Sequence, residues 1–230
     1  MTQLFHAKPA NAPNTPRTFD AAREANHRIA NNLALIVSAL RLQSRAIGRD
    51  AQLYTAEDVR MLLAEAAARI DAVTHLHRAL SHDFNADEVD IGAHLRTVCD
   101  SLVAAFVKHG ATSIVYDLSP CKVSPHHAAS LGLIVTELVT NAIKYSHPTG
   151  IDGVVQVRCH SLPSGALQIE VSDDGVGLPE KLDPKTTPSL GFELVRALAL
   201  PMDACITFKD EGLGLSVRLD VPAQDSNAAA

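Results

Sequence analysis

His27 and Asn31 stand four residues apart in a stretch, Glu24 to Arg45, that holds no Gly or Pro and few β-branched residues. In a helix of about 100° per residue they are neighbours on one face. A neutral imidazole is a good nucleophile near pH 7, so the pair suits the acceptance of a phosphoryl group. A second group lies in L-G-L-I-V-T-E-L-V-T-N-A-I-K-Y-S, where Glu137, Asn141 and Lys144 fall within about 60° on a helix. Mg²⁺ takes oxygen ligands and keeps waters and substrate phosphates in its shell. Asn141 offers such an oxygen, Lys144 can neutralise phosphate, and Glu137 can order a water or accept a proton. A third group is V-S-D-D-G-V-G-L-P. Asp173 ends a strand and can accept from the exocyclic amine of adenine, while Gly175 and Gly177 permit tight turns and close approach to a flat ligand. Ser189 and Gly191 open a helix in S-L-G-F-E-L-V, where free N–H groups hold anions. The polar loop 180–188 before them can act as a lid. Each piece also has an ordinary structural explanation: a solvated histidine, a charged stripe, a turn.

The elements that must position these residues are legible from periodicity. Ile29, Leu33, Ile36, Leu40 and Ile47 form a seam, with Val37 on its flank, opposite His27, Asn31, Ser38 and Arg45. A stop at Gly48-Arg49-Asp50 and a capping box at Thr55 and Asp58 separate this helix from a second, about Ala56 to Ser81. The second carries Val59, Leu63, Ala66, Ile70, Val73, His77 and Leu80 at heptad spacing, with His77 read as structural. Two such helices predict an antiparallel hairpin, and pairing with a second copy predicts a four-helix bundle. After a polar linker from His82 to Asp90, helices are predicted over 91–108, 126–146 and 190–200. Strands are predicted over 113–118, 154–160, 166–172, 204–208 and 215–221, with a hairpin turn at Leu162-Pro-Ser-Gly165. Helices with mostly antiparallel strands in this order predict an α+β layer, helices on one sheet face.

Composition narrows the function. Apolar residues reach 47% without any Trp, so a core of Leu, Val, Ile and Ala is expected rather than a disordered chain. A net charge of -6 with no long basic run argues against nucleic acid or an anionic membrane as the main partner. Cys99, Cys121, Cys159 and Cys205 form no C-x-x-C pair, so buried free thiols in a reducing cytoplasm are expected instead of a zinc site or disulfides. No transmembrane helix or signal pattern is present. Residues 1–17, with three prolines, read as a disordered leader.

The order of an exposed His on a seamed hairpin, E-x-x-x-N-x-x-K on a helix, D-x-G-x-G-L-P, a polar loop and S-L-G before a helix resembles sensor histidine kinases. N-H-R-x-x-N-N-L, E-L-V-T-N-A-x-K-Y and D-D-G-V-G-L-P are most similar to their HWE-type and closely related subgroup, over about residues 20–222. The resemblance implies a dimerisation and histidine phosphotransfer domain over 18–84. It implies a catalytic ATP-binding domain of the Bergerat (GHKL) α/β-sandwich fold over 88–222, and a disordered tail over 223–230. It implies His27 as phospho-acceptor, Asn141 as Mg²⁺ ligand, Lys144 as phosphate contact and Asp173 as adenine reader. Gly175, Gly177 and Gly191 would surround the nucleotide, and Arg28 would help hold the transferred phosphate. ATP and Mg²⁺ are the implied cofactors, a separate response-regulator receiver domain the implied partner, and a homodimer the implied assembly. With no sensor module in the leader, input is expected from a separate sensory partner or from a longer protein of which this chain is a part. Alternatives are a histidine phosphotransfer relay whose ATP domain has lost turnover, and an ATP-dependent dimerisation module. Departures from the subgroup pattern are Ala30 in place of Lys, Phe192 in place of Leu, Pro201-Met-Asp-Ala-Cys205 in place of a glycine pair, and Asp210-Glu-Gly-Leu-Gly214 in the last glycine box.

Overall fold

Helix α1 (Ala56–His82) starts where its cap chemistry dictates. Thr55 N–H donates to Asp58 Oδ2 at 2.8 Å and Asp58 N–H donates to Thr55 Oγ1 at 3.1 Å, the predicted reciprocal box. Its hydrogen bond to the Thr55 side chain holds the Asp58 carboxyl below its usual range. The computed structural model describes residues 34, 37, 41, 55–82, 88–106, 112–147, 151–178, 190–210 and 212–223. Of the first predicted helix only Ala34, Val37 and Arg41 are among these, all helical and exposed, so the hairpin and bundle lie outside the described residues.

The predicted seam of α1 needs correction. Val59, Leu63 and Ile70 are exposed, while Glu65, Ala68, Arg69, Ala72, Val73 and Leu76 are buried. At about 100° per residue the buried stripe is turned by more than about 100° round the helix from Val59, Leu63 and Ile70, and the two faces meet at Val73, a predicted seam residue that is buried. That stripe packs on α2 (Ile91–Phe106) and α3 (Pro125–Tyr145).

Short strands β1 (Val89–Asp90) and β3 (Lys122–Val123) pair antiparallel, where the sequence predicted only linker and turn. Asp90 makes this junction. Its Oδ1 accepts from the N–H of Gly92 at 3.0 Å and of Cys121 at 3.4 Å, capping α2 and tying it to the segment before α3.

The sheet has the order β2-β4-β5-β7-β6. Its strands are β2 (Thr112–Leu118), β4 (Gly153–Ser161), β5 (Leu167–Asp173), β6 (Cys205–Asp210) and β7 (Leu215–Val221). The β2–β4 pair is parallel and the others are antiparallel. A parallel pair needs a crossover, and α3 provides it. The predicted β4–β5 hairpin is present, closed by Leu162 N–H to Ala166 O at 2.8 Å, with Gly165 at φ 82°. Alternate residues Val155, Val157, Ile169, Val171, Val217 and Leu219 are buried against the helices.

Helix α3 is the centre of the fold. Ser124 caps it, accepting from His127 N–H at 3.3 Å, and Pro125 follows at the first helical position. The sequence predicted one apolar face. In the structure Leu131, Leu133, Ile134, Val135 and Val139 are all fully buried, so α3 is covered on every side by the sheet, α1, α2 and α4 (Leu190–Ala199). After α4 the chain turns through Leu200–Met202, and Asp203 takes the left-handed conformation at φ 50° that a glycine would ordinarily supply. Of the cysteines, Cys99, Cys121 and Cys159 are buried as predicted, but Cys205 on edge strand β6 is exposed. Among the described residues no helix is long and apolar enough to cross a membrane.

Candidate active site

The C-terminal half of α3 gathers the groups that the sequence singled out. Glu137 is only 4% exposed, and its carboxylate is gripped bidentately by Arg69 of α1. Arg69 Nε donates to Oε1 at 2.5 Å and Nη2 donates to Oε2 at 2.9 Å. Two parallel charge-assisted bonds of this kind fix both planes. Glu65, one turn earlier on α1, lies 3.7 Å from Arg69 and hydrogen-bonds Lys144 through its other oxygen. Two acids and two bases thus form one enclosed network between α1 and α3, with formal charges that cancel. Burial alone would lower the Arg69 pKa, but Glu137 and Glu65 together raise it, so the guanidinium stays charged.

Gly191, in the first turn of α4, meets the same stripe. A Cβ built there would stand 3.3 Å from Asn141 Nδ2 and 3.3 Å from Glu137 Oε2. The missing side chain lets the α4 N-terminus approach the amide and carboxylate closely. Glu137, Asn141 and Gly191 are therefore brought together, with Lys144 a turn farther along α3.

The end of β5 is held against the last turn of α3. Val176 N–H donates to Ser146 O at 2.9 Å, and a Cβ at Gly175 would lie 2.2 Å from that same oxygen, which leaves no space for a side chain. Asp173 Oδ1 accepts from Gly175 N–H at 3.0 Å and from Leu215 N–H at 3.4 Å, and among the described residues its second oxygen has no such partner. Burial raises the Asp173 carboxyl, and those two backbone donors oppose the rise. Gly177 adopts φ 69° beside Asp210, and Gly214 adopts φ 97° with its hypothetical Cβ 1.8 Å from Asp173 O. The loose last glycine box therefore lets β7 begin directly against the backbone of Asp173.

His27, Arg28, Asn31, Ser189 and the loop 180–188 lie outside the described residues. Sequence reasoning missed Glu65 and Arg69. Their signal was an i, i+4 acid–base pair set alone in A-E-A-A-A-R, where small neighbours let another helix come close.

Both halves of the chain match known proteins. Residues 24–106 match the histidine kinase family model HisKA_2, and residues 126–225 match the model of histidine kinase-, DNA gyrase B- and HSP90-like ATPases. The chain is 29% identical over 203 residues to blue-light-activated histidine kinase 2 of Erythrobacter litoralis, covering 86% of this chain and 56% of that protein. It is 33% identical over 211 residues to sensor histidine kinase PdtaS of Mycobacterium tuberculosis, covering 87% of this chain and 39% of that protein. The chain thus spans about half or less of these relatives. The histidine kinase domain of the Erythrobacter litoralis EL346 blue-light-activated kinase superposes with a TM-score of 0.69 at 28% identity, covering 87% of this chain and 92% of that one.

Proposed function

Because the chain belongs to the sensor histidine kinases of the HisKA_2 class, with a GHKL-type ATPase domain behind the helical region, we propose that it is an ATP-dependent protein histidine kinase acting on its own His27. The γ-phosphoryl group of ATP is transferred to an imidazole nitrogen of His27, and then to an aspartate on a separate response-regulator receiver domain. One observation carries the reading: the convergence of Asn141, Glu137 and the α4 N-terminus at Gly191, close to where β5 delivers Asp173.

The residues fit the ligands. The second carboxylate oxygen of Asp173 can accept from the adenine amine, with Gly175 letting this loop pack on Ser146 at the end of α3 and Gly177 letting it pack beside Asp210. The backbone N–H groups at Ser189 and Gly191 suit a polyphosphate. Asn141 offers an amide oxygen for Mg²⁺, which when bound would neutralise charge on the phosphates. Lys144 adds a fixed cation, and Glu137 orients or accepts a proton at the reacting end. From their place in the sequence, Arg28 beside His27 and Asn31 four residues on are assigned to steady the transferred phosphate. Positioning and charge neutralisation supply most of the catalysis in phosphoryl transfer, so a small number of well-placed polar groups suffices. We assign phosphotransfer to 18–84 and nucleotide binding to 88–222, with dimerisation through the hairpin.

Incubation with γ-labelled ATP and Mg²⁺ tests the proposal. An acid-labile, base-stable label is expected on the intact chain and none on His27→Ala. A label of that kind persisting in His27→Ala refutes the acceptor assignment. Profiling the labelled protein against candidate receivers tests the second transfer.

A further inference from the structure

The two charged side chains that face the reacting end of the site are both engaged by α1. Glu137 is held by Arg69, and Lys144 is held by Glu65, with the Arg69 and Glu137 side chains 4% and 5% exposed. Neither Glu65 nor Arg69 belongs to the heptad seam, and both make their ion pairs with α3, to Lys144 and Glu137. We propose that Glu65 and Arg69 form an inhibitory latch that docks α1 on the nucleotide site, and that ATP opens it by taking Lys144 from Glu65. This rests on the reading of Lys144 as a phosphate contact.

Charge explains why the latch is poised. A carboxylate and a polyphosphate compete for the same ammonium, and they cannot share a small enclosed space without repulsion. Once phosphate holds Lys144, Glu65 becomes a partly buried anion beside further negative charge. Arg69 alone then has to keep α1 in place. The rest of the buried α1 stripe pairs two small residues, Ala68 and Ala72, with Val73 and Leu76, whose apolar area is what opposes release. Release frees the Glu137 carboxylate at the reacting end. It also frees the helix that follows the His27 segment in the chain, so nucleotide occupancy and movement of the phospho-acceptor segment become one event. The coupling is reciprocal: whatever strengthens α1 docking must weaken ATP binding by the same factor.

Calorimetric titration of the full chain and of Glu65→Gln with ATP and Mg²⁺, together with amide hydrogen exchange over 55–76, provides the test. Glu65→Gln should bind ATP about tenfold more tightly, because loss of the Glu65–Lys144 pair weakens α1 docking by about that factor. In the unaltered chain, ATP should accelerate exchange of the α1 amides. That measurement needs no variant, so it holds even if Glu65→Gln folds poorly. An unchanged Kd in a folded Glu65→Gln, or α1 exchange that bound ATP leaves untouched, overturns the latch while ATP binding itself stands. Failure of both proteins to bind ATP removes the functional reading, and the latch with it.

Discussion

Acidification should loosen the scaffold of the site through a single side chain, His94. This imidazole is 6% exposed, at the junction of α2 with α3, and among the described residues its buried Nε2 has no hydrogen-bond partner. It sits over Gly132, where a Cβ would come within 2.6 Å of Nε2. Burial, and then the nearby His75, depress its pKa from 6.5 to about 4. The sign follows directly. The unfolded chain binds this proton at a higher pH than the folded one, so stability is complete above pH 6.5 and falls as the pH is lowered toward 4. At about 1.4 kcal/mol for each pH unit, the loss across that window is about 3 kcal/mol, of which about 2 kcal/mol is gone by pH 5. Urea unfolding of the full chain between pH 8 and pH 4, followed by circular dichroism, measures it. His94→Leu removes the titration and replaces an unpaired polar atom with carbon, so near pH 7.5 its stability should lie within about 1 kcal/mol of the parent. The diagnostic quantity is the difference between the two curves, because other histidines and carboxylates titrate in both. If the two proteins lose stability in parallel below pH 6.5, His94 is not a buried neutral imidazole and the reasoning fails.

Two further outcomes follow from the site. Arg69→Ala strands the Glu137 carboxylate in a nearly closed space and should cost about 3–5 kcal/mol in urea unfolding, whereas Arg69→Met with Glu137→Met should recover most of it. A loss below about 1 kcal/mol for the single change would show that α1 does not cover α3 in solution. Gly214→Ala forces a side chain onto a residue at φ 97° whose Cβ position lies 1.8 Å from Asp173 O. It should destabilise the start of β7 by about 2 kcal/mol or more and weaken ATP binding in calorimetry, since Asp173 must move.

Local chemistry was readable in the sequence and long-range chemistry was not. The Thr55–Asp58 cap was legible because its partners are three residues apart and their types allow little else. The Leu162-Pro-Ser-Gly165 turn was legible for the same reason. The polar stripe of α3 and the Asp173 loop were found by type and spacing, and the structure brings Asn141, Glu137 and Gly191 together. The Arg69–Glu137 pair is different. Its members are 68 residues apart, and the local signal on α1, an acid–base pair among alanines, does not name the partner on α3. The heptad on α1 drew attention to a face whose Val59, Leu63 and Ile70 are exposed. The parallel β2–β4 pairing was missed because strand direction depends on the path of the crossover, and alternating residues look alike in either direction. Exposure of Cys205 reflects its place on edge strand β6, which composition cannot reveal.

The position of α3 makes the arrangement more than a list of contacts. It crosses between the parallel strands β2 and β4, is buried on every side, and carries the Glu137–Lys144 stripe on the side where α1 arrives. A helix so confined cannot shift to suit a ligand without disturbing the sheet. α1 is held there by charge and by a modest apolar stripe, while its Val59, Leu63 and Ile70 face lies exposed. Of the two, α1 is therefore the element that can move when charge at the stripe changes. A rigid α3 paired with a releasable α1 converts the binding of a polyanion into displacement of a helix, and α1 is covalently continuous with the segment that bears His27.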